Sequence, residues 1–198
     1  SILAPNPDNS TIEVATVNIE ENGKRAPIPY VLPPGIIRER DFSNYRGDTK
    51  QNEQSLAVII KNLKDGYGRA AFKTAINDFR SYKRLEMYIH LESMGGTNLE
   101  DNDLQAFLRI GTDNQDNYYE YNQPLKVTMP GTSDPYAIWP DQNKMDISLD
   151  LFQKAKTARN NALTATGAPW PINVPCTYSD GRNIIIVKGQ PDMSKVRV

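Results

Sequence analysis

One cysteine and one histidine are all that this chain has of the two side chains most used in catalysis and metal binding. With Cys176 alone, an intramolecular disulfide and a cysteine-based zinc site are both excluded. A lone free cysteine is expected as an inert, packed thiol. With His90 alone, no histidine cluster can hold a metal, and a nucleophilic triad lacks a choice of base. His90 falls on the polar side of its segment, beside Tyr88 and Glu92, and is expected at the surface. Excess charge is missing too: 23 basic residues meet 24 acidic ones. Phosphate backbones need a concentrated positive field, so nucleic acid is not an expected ligand. No window approaches the roughly 20 apolar residues of a membrane helix. No signal peptide pattern is present, and the first residue is Ser1 rather than Met. The expectation is a mature or excised segment of something longer. Hydrophobic residues make up 38% of 198, which suits a modest core in one large domain or two small ones.

Strict alternation is what the chain does have. In residues 84–92, Leu85, Met87, Ile89 and Leu91 recur at every second position. In residues 103–110, Leu104, Ala106, Leu108 and Ile110 do the same. A period of two places one set of side chains on one face of a strand. Both segments therefore read as half-buried strands of an antiparallel sheet, with these eight residues in one core. Residues 118–128 carry Tyr118, Tyr119 and Tyr121 and close a hairpin with 103–110 across a polar turn. Residues 145–151 alternate through Ile147, Leu149 and Leu151. They run into a short helix near 150–161, where Leu151, Phe152, Ala155 and Ala158 have helical spacing. Residues 184–187 read as a short buried strand, and 195–198 as the opening of another.

The first third is less regular. Residues 12–19 are a strand candidate without a clean period. Residues 26–37 hold four prolines, which forbid a helix and deny a central strand its hydrogen bonds. This stretch reads as extended, apolar and edge-running. Residues 38–54 read as a surface loop containing Arg46-Gly47-Asp48, a tripeptide too short to carry an integrin-binding claim. Residues 55–63 bring Leu56, Val58 and Ile60 to one face, and a central hairpin with 69–76 is expected.

Three kinds of site can be built from these residues. Glu86 and Glu120 lie on neighbouring strand candidates, and sandwich glycosidases use two carboxylates about 5–9 Å apart. Outward Glu is ordinary on strands, so both are expected solvated. Asp113, Asn114 and Asp116 in one turn offer oxygen ligands to calcium, with Asp101 or Asp103 in support. The EF-hand spacing is absent, and Asx-rich turns form for backbone reasons alone. No cofactor is expected, structural calcium being possible but not favoured. Rings are the third kind: Tyr118, Tyr119, Tyr121, Tyr136, Trp139 and Trp170 could stack on sugars or anchor a protein. Tyr30 adds a ring to the proline-rich segment. Tyr30, Tyr119, Tyr121 and Trp139 are the expected partner contacts.

Several motifs together resemble a known family. They are Pro29-Tyr30-Val31-Leu32-Pro33-Pro34-Gly35-Ile36, Asn52-Glu53-Gln54-Ser55-Leu56, Asn62-Leu63-Lys64-Asp65-Gly66 and Tyr82-Lys83-Arg84-Leu85. Phe107-Leu108-Arg109-Ile110-Gly111, Asn117-Tyr118-Tyr119-Glu120-Tyr121, Ile138-Trp139-Pro140 and Val187-Lys188-Gly189-Gln190-Pro191-Asp192 follow in order. From about residue 27 onward the chain resembles the SprA/Sov proteins, the very large outer-membrane translocon of the Bacteroidetes type IX secretion system, tied also to gliding motility. The resemblance implies an all-β domain of a giant outer-membrane protein, with no enzyme activity and no cofactor. It implies a water-facing position, at the cell surface or on the periplasmic side. Partners would be other domains of the parent translocon and other secretion-system proteins.

The expected fold is an all-β, antiparallel β-sandwich of jelly-roll or galactose-binding type with one short helix. Residues 1–25 form an N-terminal extension or first strand, and 26–198 a single sandwich domain. The expected function is a non-catalytic structural and interaction domain of a protein-secretion translocon. The alternative is a carbohydrate-binding module, with glycan as its partner.

Overall fold

The computed structural model describes residues 8–39, 50–74 and 76–197. Arg46, Gly47 and Asp48 lie outside them. The chain divides into two compact units, Ser1–Phe72 and Lys73–Val198. The sequence pattern suggests a division after residue 25 instead.

In the first unit, β1 (Thr11–Asn18) and β2 (Gln54–Lys61) pair antiparallel, with Ile12 opposite Ile60, Val14 opposite Val58 and Thr16 opposite Leu56. The expected hairpin between 55–63 and 69–76 does not form, because β2 takes β1 as its partner instead. A pairing across 35 intervening residues leaves no local signal, whereas a hairpin does. One helical turn, α1 (Ile19–Asn22), follows β1. Asn18 starts it by accepting from the Glu21 N–H at 2.9 Å, and donates its amide to the Glu21 carboxylate at 2.9 Å. The proline-rich segment then runs extended, as expected. It buries Ile28, Tyr30 and Pro33. The Tyr30 N–H donates to the Asn22 carbonyl at 3.0 Å. Its hydroxyl meets Ser55 at 2.6 Å and donates to Glu53.

The second unit holds β3 (Ile76–Asn77), β4 (Arg84–Met87), β5 (Gln105–Gly111) and β6 (Tyr118–Pro124). A four-residue helix α2 (Pro135–Ile138), β7 (Met145–Ser148) and α3 (Asp150–Asn161) come next. Strands β8 (Cys176–Asp180), β9 (Asn183–Lys188) and β10 (Val196–Arg197) close the chain. Six strands make one antiparallel sheet in the order β3-β10-β5-β6-β9-β8. Strands β4 and β7 make a separate two-stranded ribbon.

Register explains the core. Ile110, Tyr119, Val187 and Cys176 form one row across the sheet, and Leu108, Tyr121, Ile185 and Tyr178 the next. Against this face pack Met145 and Ile147 of β7, and Phe152 and Ala155 of α3. The tilted rings of Tyr119 and Phe152 stand 5.2 Å apart. The architecture is thus all-β and antiparallel, with a sheet in one layer and a ribbon plus helix in the other. The expected helix at 150–161 is present, and two one-turn helices add to it. It starts without a side-chain cap, helped by the Asp150–Lys154 ion pair at 2.7 Å.

Of the eight residues expected in one core, only Ile110 is fully buried. Leu85, Ile89, Ala106 and Leu108 pack partly buried around it, Leu91 and Leu104 are half-buried, and Met87 is 39% exposed. The phase of the alternation is right and its depth is not. Strand β4 ends at Met87 because its partner β7 has only four residues, so 88–92 continue without a ladder.

Candidate interaction surface

The ribbon of the first unit has two unlike faces. One carries Val17, Ala15, Ser55, Ala57 and Ile59, half-buried, with Tyr30 hydrogen-bonded to Ser55. The other carries Ile12, Val14, Leu56, Val58 and Ile60, all exposed, with Leu56 at 64% and Val14 at 49%. Side chains directly opposite in an antiparallel pair touch, so these five aliphatics form one continuous strip. Single exposed apolar residues are normal on a protein surface, but a contiguous apolar strip marks an interaction site. A two-stranded ribbon is marginal by itself and gains from a partner on its open face. The sequence reading set Leu56, Val58 and Ile60 on one face correctly. This face points outward, which alternation does not decide: it tells which residues share a face and not which face is covered.

The four rings expected to touch a partner lie elsewhere. Tyr119 and Tyr121 are in the core of the second unit, at 0% and 3% exposure. Burial pushes the Tyr119 phenol up to about 12, against the charge of Arg159. Tyr30 is buried against Glu53 and Ser55, and burial first, then Glu53, pushes it up to about 12. Trp139 is buried beside His90 and Tyr88, edge-on to both. Of the other rings, Tyr136 is exposed, and the half-buried Trp170 donates its indole N–H to the Val174 carbonyl at 3.1 Å.

His90, expected at the surface, is partly buried. Its Nδ1 lies 3.0 Å from the Ile138 carbonyl and 3.1 Å from the Thr128 hydroxyl, and its Nε2 3.3 Å from Glu92. The ring therefore ties three segments together. Cys176 is a half-buried free thiol on β8. Burial pushes it up despite Arg159, the opposite of an activated nucleophile.

Glu86 and Glu120 do not meet. Glu86 points away from the core on the β4–β7 ribbon and pairs with Lys144 at 3.0 Å. Glu120 lies on the outer face of the six-stranded sheet, so the core separates them. Contrary to expectation, Glu120 is buried rather than solvated. Arg109 reaches it at 2.8 Å from Nε while lying over the Tyr118 ring at 4.0 Å. A desolvated carboxylate requires such a partner.

Asp113 is consumed by its own turn. One carboxylate oxygen accepts from the N–H groups of Gln115, Asp116 and Asn117, and the other from the Asn117 amide at 2.7 Å. Burial raises this carboxyl, but those donors together hold it well below the usual range. Asp116 pairs with Lys188 at 3.0 Å, and Asn114 gives its carbonyl to Arg109. Among the described residues, no three His, Cys, Asp or Glu side chains are placed to hold a metal ion.

A shallow depression of about 320 Å³ lies in the second unit. It sits where the end of β6, the turn at 141–143, the start of β7 and the β8–β9 turn meet. Tyr121, Gln123, Asp141, Lys144, Arg182 and Asn183 stand on its walls. The Asn183 side-chain amide oxygen is shielded from solvent and has no hydrogen-bond partner among the described residues. The sequence held no signal for this site, which four separate segments assemble.

No described helix is long and apolar enough to cross a membrane. Compared with known families, residues 1–198 match the model of a family described as motility related/secretion protein. The match takes in the first 25 residues, for which the sequence alone showed no likeness. No curated protein matches the chain.

Proposed function

The chain belongs to the SprA_N family of motility related/secretion proteins, and we propose that it is a non-catalytic structural and interaction domain of a secretion apparatus. The observation that carries the reading is the exposed aliphatic strip on the β1–β2 ribbon. Five branched side chains in cross-strand register remain in water, at a cost of roughly 25 cal/mol for each Å² left uncovered. Burying them against another part of the parent chain or another secretion protein recovers that energy. The finer setting follows from the resemblance read in the sequence: a type IX translocon at the outer membrane, with this domain facing water. Chemistry has little support beside this. The two candidate carboxylates stand on opposite sides of a core, and the single thiol is pushed away from its reactive form.

The test is in the parent protein. Val14→Lys combined with Val58→Lys should reduce secretion or motility strongly, while Glu86→Gln leaves both intact. Normal secretion in the double variant, with the protein present at wild-type level, would overturn the reading.

A further inference from the structure

We propose that the free edge of β2 takes up an extended peptide strand from a partner, which turns the β1–β2 ribbon into a three-stranded sheet. The inference rests on the reading of the aliphatic strip as an interaction surface. It names how the partner is held there: by backbone hydrogen bonds as well as by side-chain contact.

The ladder fixes which backbone groups are free. Thr16, Val14 and Ile12 stand opposite Leu56, Val58 and Ile60. One step beyond Asn18 in the same register, the Ile19 N–H donates to the Glu53 carbonyl at 3.2 Å. Hydrogen-bonded and non-hydrogen-bonded pairs alternate along an antiparallel ladder. Counting back from Ile19 and Glu53, the bonded pairs are Val17–Ser55, Ala15–Ala57 and Glu13–Ile59. Leu56, Val58 and Ile60 therefore aim their N–H and C=O groups away from β1. Asn18 agrees with this count: its N–H turns away from β2 and donates to the Asn22 side chain at 3.0 Å. Among the described residues, no backbone group pairs with the outer edge of β2. The three residues with open backbone groups are the same three that hold aliphatic side chains in water.

Exposed edges are normally blunted by a lysine, a proline or a bulge. From Gln54 to Ile60 there is no charge and no proline, and the ladder steps one for one through eight pairs without a bulge. The edge of β1 is less open, since Glu13 lies along it and Asn22 already takes the Asn18 N–H. Only an extended backbone offers donors and acceptors at the spacing of such an edge. An uncharged edge selects an uncharged strand, aliphatic at every second position so that the strip continues across it. Two strands alone are marginal, and a third supplies what the ribbon lacks.

The test uses the whole 198-residue chain and a synthetic peptide as long as β2 in which valine and threonine alternate. In an antiparallel pairing its valines lie opposite Leu56, Val58 and Ile60, and the valine N–H groups bond to β2. In the free chain, hydrogen exchange should be faster at these three amides than at Ser55, Ala57 and Ile59. Saturating peptide should slow the fast set about tenfold or more. Methylating the valine nitrogens of the peptide should weaken binding about tenfold or more, while methylating the threonine nitrogens should leave it nearly unchanged. Val58→Pro removes an outward N–H and no ladder bond, so the variant should keep its fold and lose affinity. Val58→Thr keeps that N–H and should bind like wild type. The proposal is overturned if the peptide does not bind, if both methylated peptides bind alike, or if a dimer formed through β2 excludes the peptide. Binding that leaves exchange at Leu56, Val58 and Ile60 unchanged also overturns it, and the strip then remains an interaction surface without strand addition. Normal secretion in the Val14→Lys, Val58→Lys double variant would instead remove the reading of the strip itself.

Discussion

Asp113 shows how much one side chain can organise. Four donors converge on it and close the β5–β6 turn. Its carboxyl is lowered from the ordinary value of 3.8 in the folded protein. A lowered carboxyl contributes stability in full above that ordinary value, and the contribution fades as pH falls toward the folded one. Denaturant unfolding of the wild type should therefore lose stability below about pH 4 more steeply than that of Asp113→Asn, which keeps an acceptor but no titrating charge. Equal slopes in the two proteins would contradict this role. Gly189 is a second such position. Its φ of +68° is one that side-chain-bearing residues rarely adopt, and an added Cβ would come 1.9 Å from the Asp116 carbonyl oxygen. Gly189→Ala should cost about 1–3 kcal/mol in a thermal or chemical melt. The sequence contains both residues but not their meaning. Asx-rich turns were legible at 113–117, while the approach of the 189 turn to them spans more than 70 residues and left no local trace.

At the level of the element, the same pattern serves two ends. Ile147 on β7 and Val58 on β2 both sit in alternating strands, yet one is at 0% exposure and the other at 43%. Ile147→Ala should cost about 2–5 kcal/mol, since it opens a cavity between ribbon and sheet. Val58→Lys should change the stability of the free chain by no more than about 0.5 kcal/mol. A comparable loss in both would mean that the aliphatic strip is core after all. This contrast also marks what could be read beforehand. The helix at 150–161, the hairpin of β5 and β6, and strands β7, β9 and β10 were legible because period and turn signals are local. Strand β8 carries no apolar run, so nothing local marks it as a strand. The face on which Tyr119 and Tyr121 lie could not be chosen, because β6 has rings on both faces: Tyr119 and Tyr121 on one, Tyr118 on the other. Its neighbours Ile110 and Val187 decide the matter. The rings picked as contacts are thus structural, and Tyr119→Ala should destabilise the second unit by about 3–5 kcal/mol, as large aromatic truncations in cores do.

Across the whole molecule, an all-β architecture goes with family membership and a near-zero net charge, and the two candidate carboxylates, Glu86 and Glu120, stand apart. The family name speaks of secretion and motility, and the aliphatic strip supplies a physical means of taking part by contact. The most direct measurement is photo-crosslinking in living cells, with a photoreactive residue placed at position 56 or 58 of the parent protein. The account predicts adducts from both positions to another segment of the parent or to an identified secretion protein, and none from the solvent-facing control position 136. Equal labelling from all three positions, or no adduct from 56 and 58, would contradict it.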